Sequence, residues 1–209
     1  MLISCLIAAA PLLGATAPED SYALRASHVH VGDGKVVLDG FVVIEDGLVK
    51  SVSSNAPRGV RVVEVEGQIA PGFIGLRETI GATSENTESA RKSTPTADVS
   101  FAFDPGHPAW SGLVAEGVTT VAISAGSSRI VGGQAAIVSP AAGRVLKRNA
   151  MVTLGLSRAS LGSSTAPTSY AGLYAHLEEQ FAAAADGSPL AAAKAGKMPV
   201  LMRAGTRNE

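Results

Sequence analysis

The chain changes character at one stretch, Ile69-Ala70-Pro71-Gly72-Phe73-Ile74-Gly75-Leu76-Arg77-Glu78-Thr79-Ile80. Pro71-Gly72 interrupts regular pairing, because proline lacks the N–H that a ladder needs and glycine favours turns. An apolar run follows it at once. Phe73 to Leu76 reads as a buried strand whose far end carries polar residues, Arg77, Glu78 and Thr79. Upstream, apolar runs are short and separated by Gly turns. Downstream, they alternate with helical spacing. A chain built this way folds as a small β unit followed by an α/β unit.

The upstream part, residues 21–70, reads as a small antiparallel β domain. Tyr22 to Val31 alternates polar and apolar residues, and Gly32-Asp33-Gly34 turns it. Val36-Val37-Leu38 follows, with a second turn expected at Asp39-Gly40. Phe41 to Ile44 and Leu48 to Ser53 flank Glu45-Asp46-Gly47, and Asp-Gly between β-branched runs is a strong hairpin signal. Val60 to Val65 adds another strand. His28 and His30 are two apart and share one strand face. A zinc site needs at least one further ligand. No third imidazole or thiol is near in sequence, so the pair reads as two polar residues on a half-exposed strand.

Downstream, Gly81 to Asp104 is a long polar loop without helical period. Pro108 opens a helix through Glu116, with Trp110, Leu113 and Val114 on its apolar face and Gly117 ending it. Val118 to Ile123 is a β-branched strand. The Gly-rich loop from Ser124 to Gln134 leaves that strand's carboxyl end, where α/β folds place ligands. It lacks the Gly-Lys-Ser/Thr of a phosphate loop. Two readings stay open: Gly132, Gly133 and Gln134 contact a ligand, or they form a tight turn before a strand from Ala135 to Ser139. Met151 to Ser157 reads as strand or short helix. Ser169 to Ala185 is a helix with Tyr170, Leu173, Tyr174, Leu177 and Phe181 at three- and four-residue spacing, and His176 reads as a surface residue beside that stripe. Asp186 to Gly196 reads as a linker. Pro199 to Met202 is a parallel-type strand ending at Arg203-Ala204-Gly205.

Residues 1–17 look like an export signal. Leu2 to Leu13 is nearly continuous apolar sequence, and Ala15-Thr16-Ala17 has the small-x-small form of a cleavage site. No Lys or Arg precedes Arg25, so the basic leading region is missing. The run is shorter than the ~20 residues of a membrane-spanning helix. The expected location is therefore periplasmic or extracellular, or cytoplasmic without a working signal. The lone cysteine, Cys5, reads as a small apolar residue of this segment. It excludes an internal disulfide framework. A formal net charge of -1 gives no electrostatic reason to expect nucleic acid as partner.

Several of these residues, in this order, resemble the amidohydrolase superfamily, specifically its imidazolonepropionase-like branch. They are Glu45-Asp46-Gly47, Pro71-Gly72-Phe73-Ile74, Glu116-Gly117-Val118-Thr119-Thr120-Val121, and the loop from Gly126-Ser127 to Gly132-Gly133-Gln134. The resemblance implies a partial (β/α)8 TIM-type barrel over residues 71–209, behind the small β domain. It implies metal-dependent hydrolysis of C–N bonds in cyclic amides, with a divalent metal such as zinc. The family pattern at the opening stretch is Pro-Gly-Phe-Ile-Asp-x-His-x-His. Here Gly75 replaces the aspartate, and Arg77 and Thr79 replace the two ligand histidines. The later His-Ala-His of this branch stands here as Arg203-Ala204-Gly205.

Arginine is a permanent cation and coordinates no metal. Glu78 is the remaining ligand type in the motif, but on a strand it points to the opposite face from its neighbours. The expectation is thus no metal cofactor in this chain and no catalysis. The binding candidates are the barrel-mouth positions Arg77, Glu78, Thr79, Gly132, Gly133, Gln134 and Arg203. Arg77 and Arg203 either replace the metal's charge and hold an anionic or carbonyl ligand, or mark a relaxed site. The alternatives are a hydrolase with an atypical site using Glu78, or a binding or scaffold module beside a complete barrel. The chain from Gly72 to Glu209 is also shorter than the ~250 residues of a typical complete barrel. This leads to the expectation of a gene fragment or relic. The expected partners are a small-molecule ligand and a C-terminal continuation or catalytic copy of the same family.

Overall fold

The computed structural model describes residues 21–78, 90–126, 128–162 and 167–205, with Arg77 and Glu78 described by their backbone alone. The export signal and Thr79 lie outside the described residues. The chain divides into two units at Pro71 and Gly72.

The first unit is one mixed sheet. Strands β1 (Tyr22–His30), β2 (Val36–Glu45), β3 (Leu48–Ser53) and β4 (Arg61–Glu64) lie in the order β3-β2-β1-β4, and β5 (Gln68–Ile69) also pairs with β1. The expected hairpin is present: Asp46 and Gly47 have φ of 52° and 73°, and Glu45 pairs with Leu48. Two positive φ values in a two-residue turn match the twist of the strands they join. The second expected turn is absent. Asp39-Gly40 sits inside β2, because β1 pairs with both halves of β2 in one register, from Tyr22–Ile44 to His30–Val36. The Asp39 backbone, at φ 46°, becomes a kink in a continuous strand. The sheet is also not purely antiparallel, since β4 and β5 run parallel to β1. Ala26, Val29 and Val42 form its buried centre, with Leu24, Val37 and Ile69 among the residues packed on them.

The second unit is an α/β layer around a curled five-stranded sheet. Its elements are β6 (Phe73–Glu78), α1 (Ala109–Ala115), β7 (Val118–Ile123), β8 (Val131–Ser139), β9 (Arg144–Gly155), α2 (Tyr170–Ala182), α3 (Pro189–Lys194) and β10 (Val200–Arg203), with sheet order β10-β9-β8-β7-β6. An all-parallel barrel segment was the expectation. Instead β8 runs antiparallel to both β7 and β9, whereas β6–β7 and β9–β10 are parallel. The cause is connection length. A parallel crossover takes a dozen or more residues. The stretches 124–130 and 140–143 are too short for one, so β7, β8 and β9 meander.

Helices cover the sheet where it is most buried. Leu173 and Leu177 of α2 and Leu190 of α3 pack on Ile130, Val131, Val152 and Leu154. Trp110 of α1 packs with Val121, Ile123, Ala136 and Val138, and its indole N–H donates to the Asp104 carbonyl at 2.8 Å. The expected linker from Asp186 is helical over α3. Ser188 Oγ accepts from Ala191 N, and Pro189 fills the first turn where its missing N–H costs nothing. Within the expected polar loop, Asp98 caps a short 3-10 turn at Val99–Ala102.

The strand that opens the second unit departs furthest from expectation. Phe73, Ile74 and Leu76 were read as buried, but they are 69%, 65% and 64% exposed. As the terminal strand, β6 has one hydrogen-bonded neighbour among the described residues, so burial that a central strand receives from two sides is missing. Gly72 has a local reason: the Thr119 side chain of β7 occupies the space a Cβ there would need.

Candidate functional site

The carboxyl ends of β6, β7, β9 and β10 share one end of the second sheet, together with the amino end of antiparallel β8. Every barrel-mouth candidate with a described backbone lies at this end. Arg77 and Glu78 close β6, Gly132, Gly133 and Gln134 open β8, and Arg203 closes β10. The expected glycine loop is shorter than its sequence suggested, because residues 131–134 are strand.

Packing accounts for both glycines. Gly133 takes φ +93°, and a Cβ there would lie 2.5 Å from the Ala97 carbonyl oxygen. A Cβ on Gly132 would lie 2.7 Å from Thr153 Oγ1. That hydroxyl donates instead to the Gly133 carbonyl at 3.1 Å, in a buried position. The neighbour that crowds Gly133 is the segment 92–98, which adds to the β8 edge left open beyond the end of β7. Thr94 N donates to the Val131 carbonyl at 3.0 Å and Gln134 N to the Ala97 carbonyl at 2.7 Å. The backbone of this stretch is therefore largely engaged by protein.

Beside it lies a niche lined by Ala125, Gly126, Arg129, Gly132, Thr153, Leu154 and Gly155, of about 10 Å³. That is room for about one water molecule. Arg129 Nη1 donates to the Arg91 carbonyl at 3.0 Å, and Lys92 Nζ to the Ser160 carbonyl at 3.2 Å. Ser157, just past β9, is buried, and its hydroxyl has no hydrogen-bond partner among the described residues. Arg203 is exposed, and its backbone carbonyl accepts from Leu156 N at 2.9 Å.

A catalytic divalent metal sets a demand that the described side chains can be compared with. Such a metal needs about three converging protein ligands. Among the described residues, no three His, Cys, Asp or Glu side chains come together. Each of the four histidines has a protein partner. His28 and His30 on β1 contact Ser27 Oγ and Gln68 Oε1 at 3.2 and 2.6 Å. His107 Nδ1 accepts from Ala109 N. His176, expected on the helix surface, is half-buried and meets Ser93 Oγ through Nε2 at 2.7 Å. Nothing local in the sequence signals that last contact, which joins residues far apart in the chain through the segment laid along β8.

No family model matches the chain, and no curated protein matches it. A solved structure does. The fold is similar to that of an amidohydrolase from Thermotoga maritima, with a TM-score of 0.68 and 19% identity over 90% of this chain. The match covers 59% of that protein, so the chain spans less than two thirds of its length. The fold is amidohydrolase-like. No helix among the described residues is long and apolar enough to cross a membrane.

Proposed function

We propose that this chain is an amidohydrolase-type domain, of the imidazolonepropionase-like branch and with a partial (β/α)8 barrel, that does not carry out the family's metal-dependent C–N hydrolysis. The observation that carries this reading is the residue set at the strand ends. Arg77 is the last residue but one of β6 and Arg203 closes β10, the positions where the family pattern has imidazole ligands. A bound metal would lower the pKa of its water from about 15.7 to about 7 and so supply the nucleophile. A guanidinium holds no metal, and it repels one. The fold likeness to the Thermotoga maritima amidohydrolase supports the family part of the reading.

What the mouth can do is bind. Guanidinium groups favour carboxylate or carbonyl oxygens, through paired N–H donors. The reading is therefore a ligand-binding or scaffold domain, in an exported protein. Purification of the full chain followed by elemental analysis and a cyclic-amide hydrolysis panel tests it. Sub-stoichiometric zinc, iron and nickel with no turnover is the expected result. Stoichiometric metal together with turnover that Glu78→Gln abolishes would establish an atypical hydrolase instead.

A further inference from the structure

We propose that Ser93 and His176 form a metal-independent nucleophile–base pair that hydrolyses small carboxylic esters through an acyl-serine. This inference goes beyond the reading of the strand ends and does not depend on it. It starts from one contact. Ser93 Oγ lies 2.7 Å from His176 Nε2, although the two residues are 83 positions apart in the chain. A serine hydroxyl is a weak nucleophile on its own, and an imidazole within hydrogen-bond reach is what activates it.

Both partners are held in place. Ser93 is half-buried in the segment laid along β8, where it bridges Val131. Its neighbours make the bonds of that bridge. Val131 N donates to the Lys92 carbonyl at 3.2 Å, and Thr94 N to the Val131 carbonyl at 3.0 Å. Lys92 Nζ ties the same segment to the Ser160 carbonyl at 3.2 Å. His176 stands in the middle of α2, flanked by Leu173 and Leu177, which the core buries. A reacting pair carried on fixed elements keeps its geometry.

The bridge leaves a further donor. In parallel pairing, the residue between the two bonding neighbours turns its own N–H and carbonyl to the other side. The Ser93 N–H therefore points away from β8, and it has no hydrogen-bond partner among the described residues. The N–H of the nucleophile's own residue can donate to the oxyanion of a tetrahedral intermediate. His176 also lines a groove of about 340 Å³ with Pro167, Thr168, Gly172, Ala175 and Glu179. That volume is at the low end for ligand pockets, which selects a short acyl group. Glu179 follows His176 by three residues, on the same helix face, and its carboxylate favours the imidazolium that forms.

The steps balance without a metal. His176 Nε2 takes the Oγ proton as Oγ attacks the ester carbonyl carbon. The intermediate collapses, the bond to the leaving alcohol breaks, and the imidazolium protonates that alcohol. Water then attacks the acyl-serine and gives a proton to Nε2. The bond to Oγ breaks, Oγ takes that proton back, and the carboxylic acid leaves.

The test applies a serine-directed fluorophosphonate probe and p-nitrophenyl acetate to the full chain in the presence of EDTA. The expected result is a probe adduct mapped to Ser93 by peptide mass spectrometry, together with nitrophenol release. Ser93→Ala should abolish both. His176→Gln keeps a hydrogen-bonding side chain beside Ser93 but supplies no base. It should slow labelling and hydrolysis about 100-fold or more, with a thermal midpoint near that of the parent chain. Adduct mapping on the parent chain reads the proposal even where a variant loses its fold. No adduct, an adduct on another residue, or labelling that a folded His176→Gln variant leaves unchanged would each overturn the pair. The last outcome would make the contact a structural hydrogen bond only.

Discussion

The centre and the edges of the second sheet are built from similar residues and have opposite environments. At the centre, Val121 and Ile123 of β7, Val131 and Val138 of β8, and Val152 and Leu154 of β9 are buried, each on a strand paired on both sides. At the edges, β6 and β10 carry comparable Phe, Ile, Leu, Val and Met side chains in the open. Composition does not separate the two regions; position in the pairing order does. The glycines follow the same division. Gly133 is held by a carbonyl that a Cβ would strike, and that close approach exists only because a third segment packs there.

The comparison predicts unequal costs for similar substitutions. The largest effect belongs to the centre. Leu173→Ala removes a fully buried side chain and should cost about 2–5 kcal/mol of unfolding free energy. Leu76→Ala, at the exposed edge, should cost less than about 0.5 kcal/mol. Urea unfolding of both variants at low protein concentration measures the contrast, and equal losses would erase it. Gly133→Ala should come next, at about 2–4 kcal/mol, because it combines positive φ with overpacking against Ala97. Gly187→Ala, at φ +77° with open space around it, shares the backbone cost without the clash and should lose less. Thr153→Val should remove about 1–3 kcal/mol by leaving the buried Gly133 carbonyl without its donor.

The smallest effect lies in the first unit, in an exposed turn. The Lys35 backbone N–H and then its ammonium hold the Asp33 carboxyl below the usual carboxylate range. A depressed pKa means the charged form is the favoured one in the fold. Its contribution is present above the ordinary carboxylate pKa and fades as pH falls through the lowered one. The group is fully exposed, so a chemical-shift titration rather than a melt should register it. An Asp33 midpoint at or above that of a free aspartate would remove this interaction from the account.

Much of the fold was legible because its signals are local. The Asp46-Gly47 hairpin, the Pro108 helix start and the Leu173–Leu177 stripe each rest on residues within a turn or two of one another. The Asp39-Gly40 kink misled for the same reason. A turn pair states what the backbone tolerates, and the long register of β1 decided that it would not turn. The helix at Pro189 carried a readable Ser-Pro start and an Ala-rich body, and the small residues around it obscured it. Of the candidate positions, those at the ends of β6 and β10 could be placed from the apolar runs that precede them. Their surroundings could not. The crowding of Gly132 and Gly133 by Thr153 and Ala97 involves contacts across strands.

By itself, the sequence determined the Asp46-Gly47 hairpin, the Pro108 helix start and the apolar stripe of α2, and which residue types stand at the strand ends, Arg77 and Arg203 among them. Turn chemistry, periodicity and side-chain identity are short-range properties, and they suffice for that. Only the tertiary structure decided that β8 runs against its neighbours, that His176 meets Ser93, and that Phe73, Ile74 and Leu76 face outward. Those outcomes depend on which distant segments compete for a given edge, a choice made by pairing and burial across the whole unit.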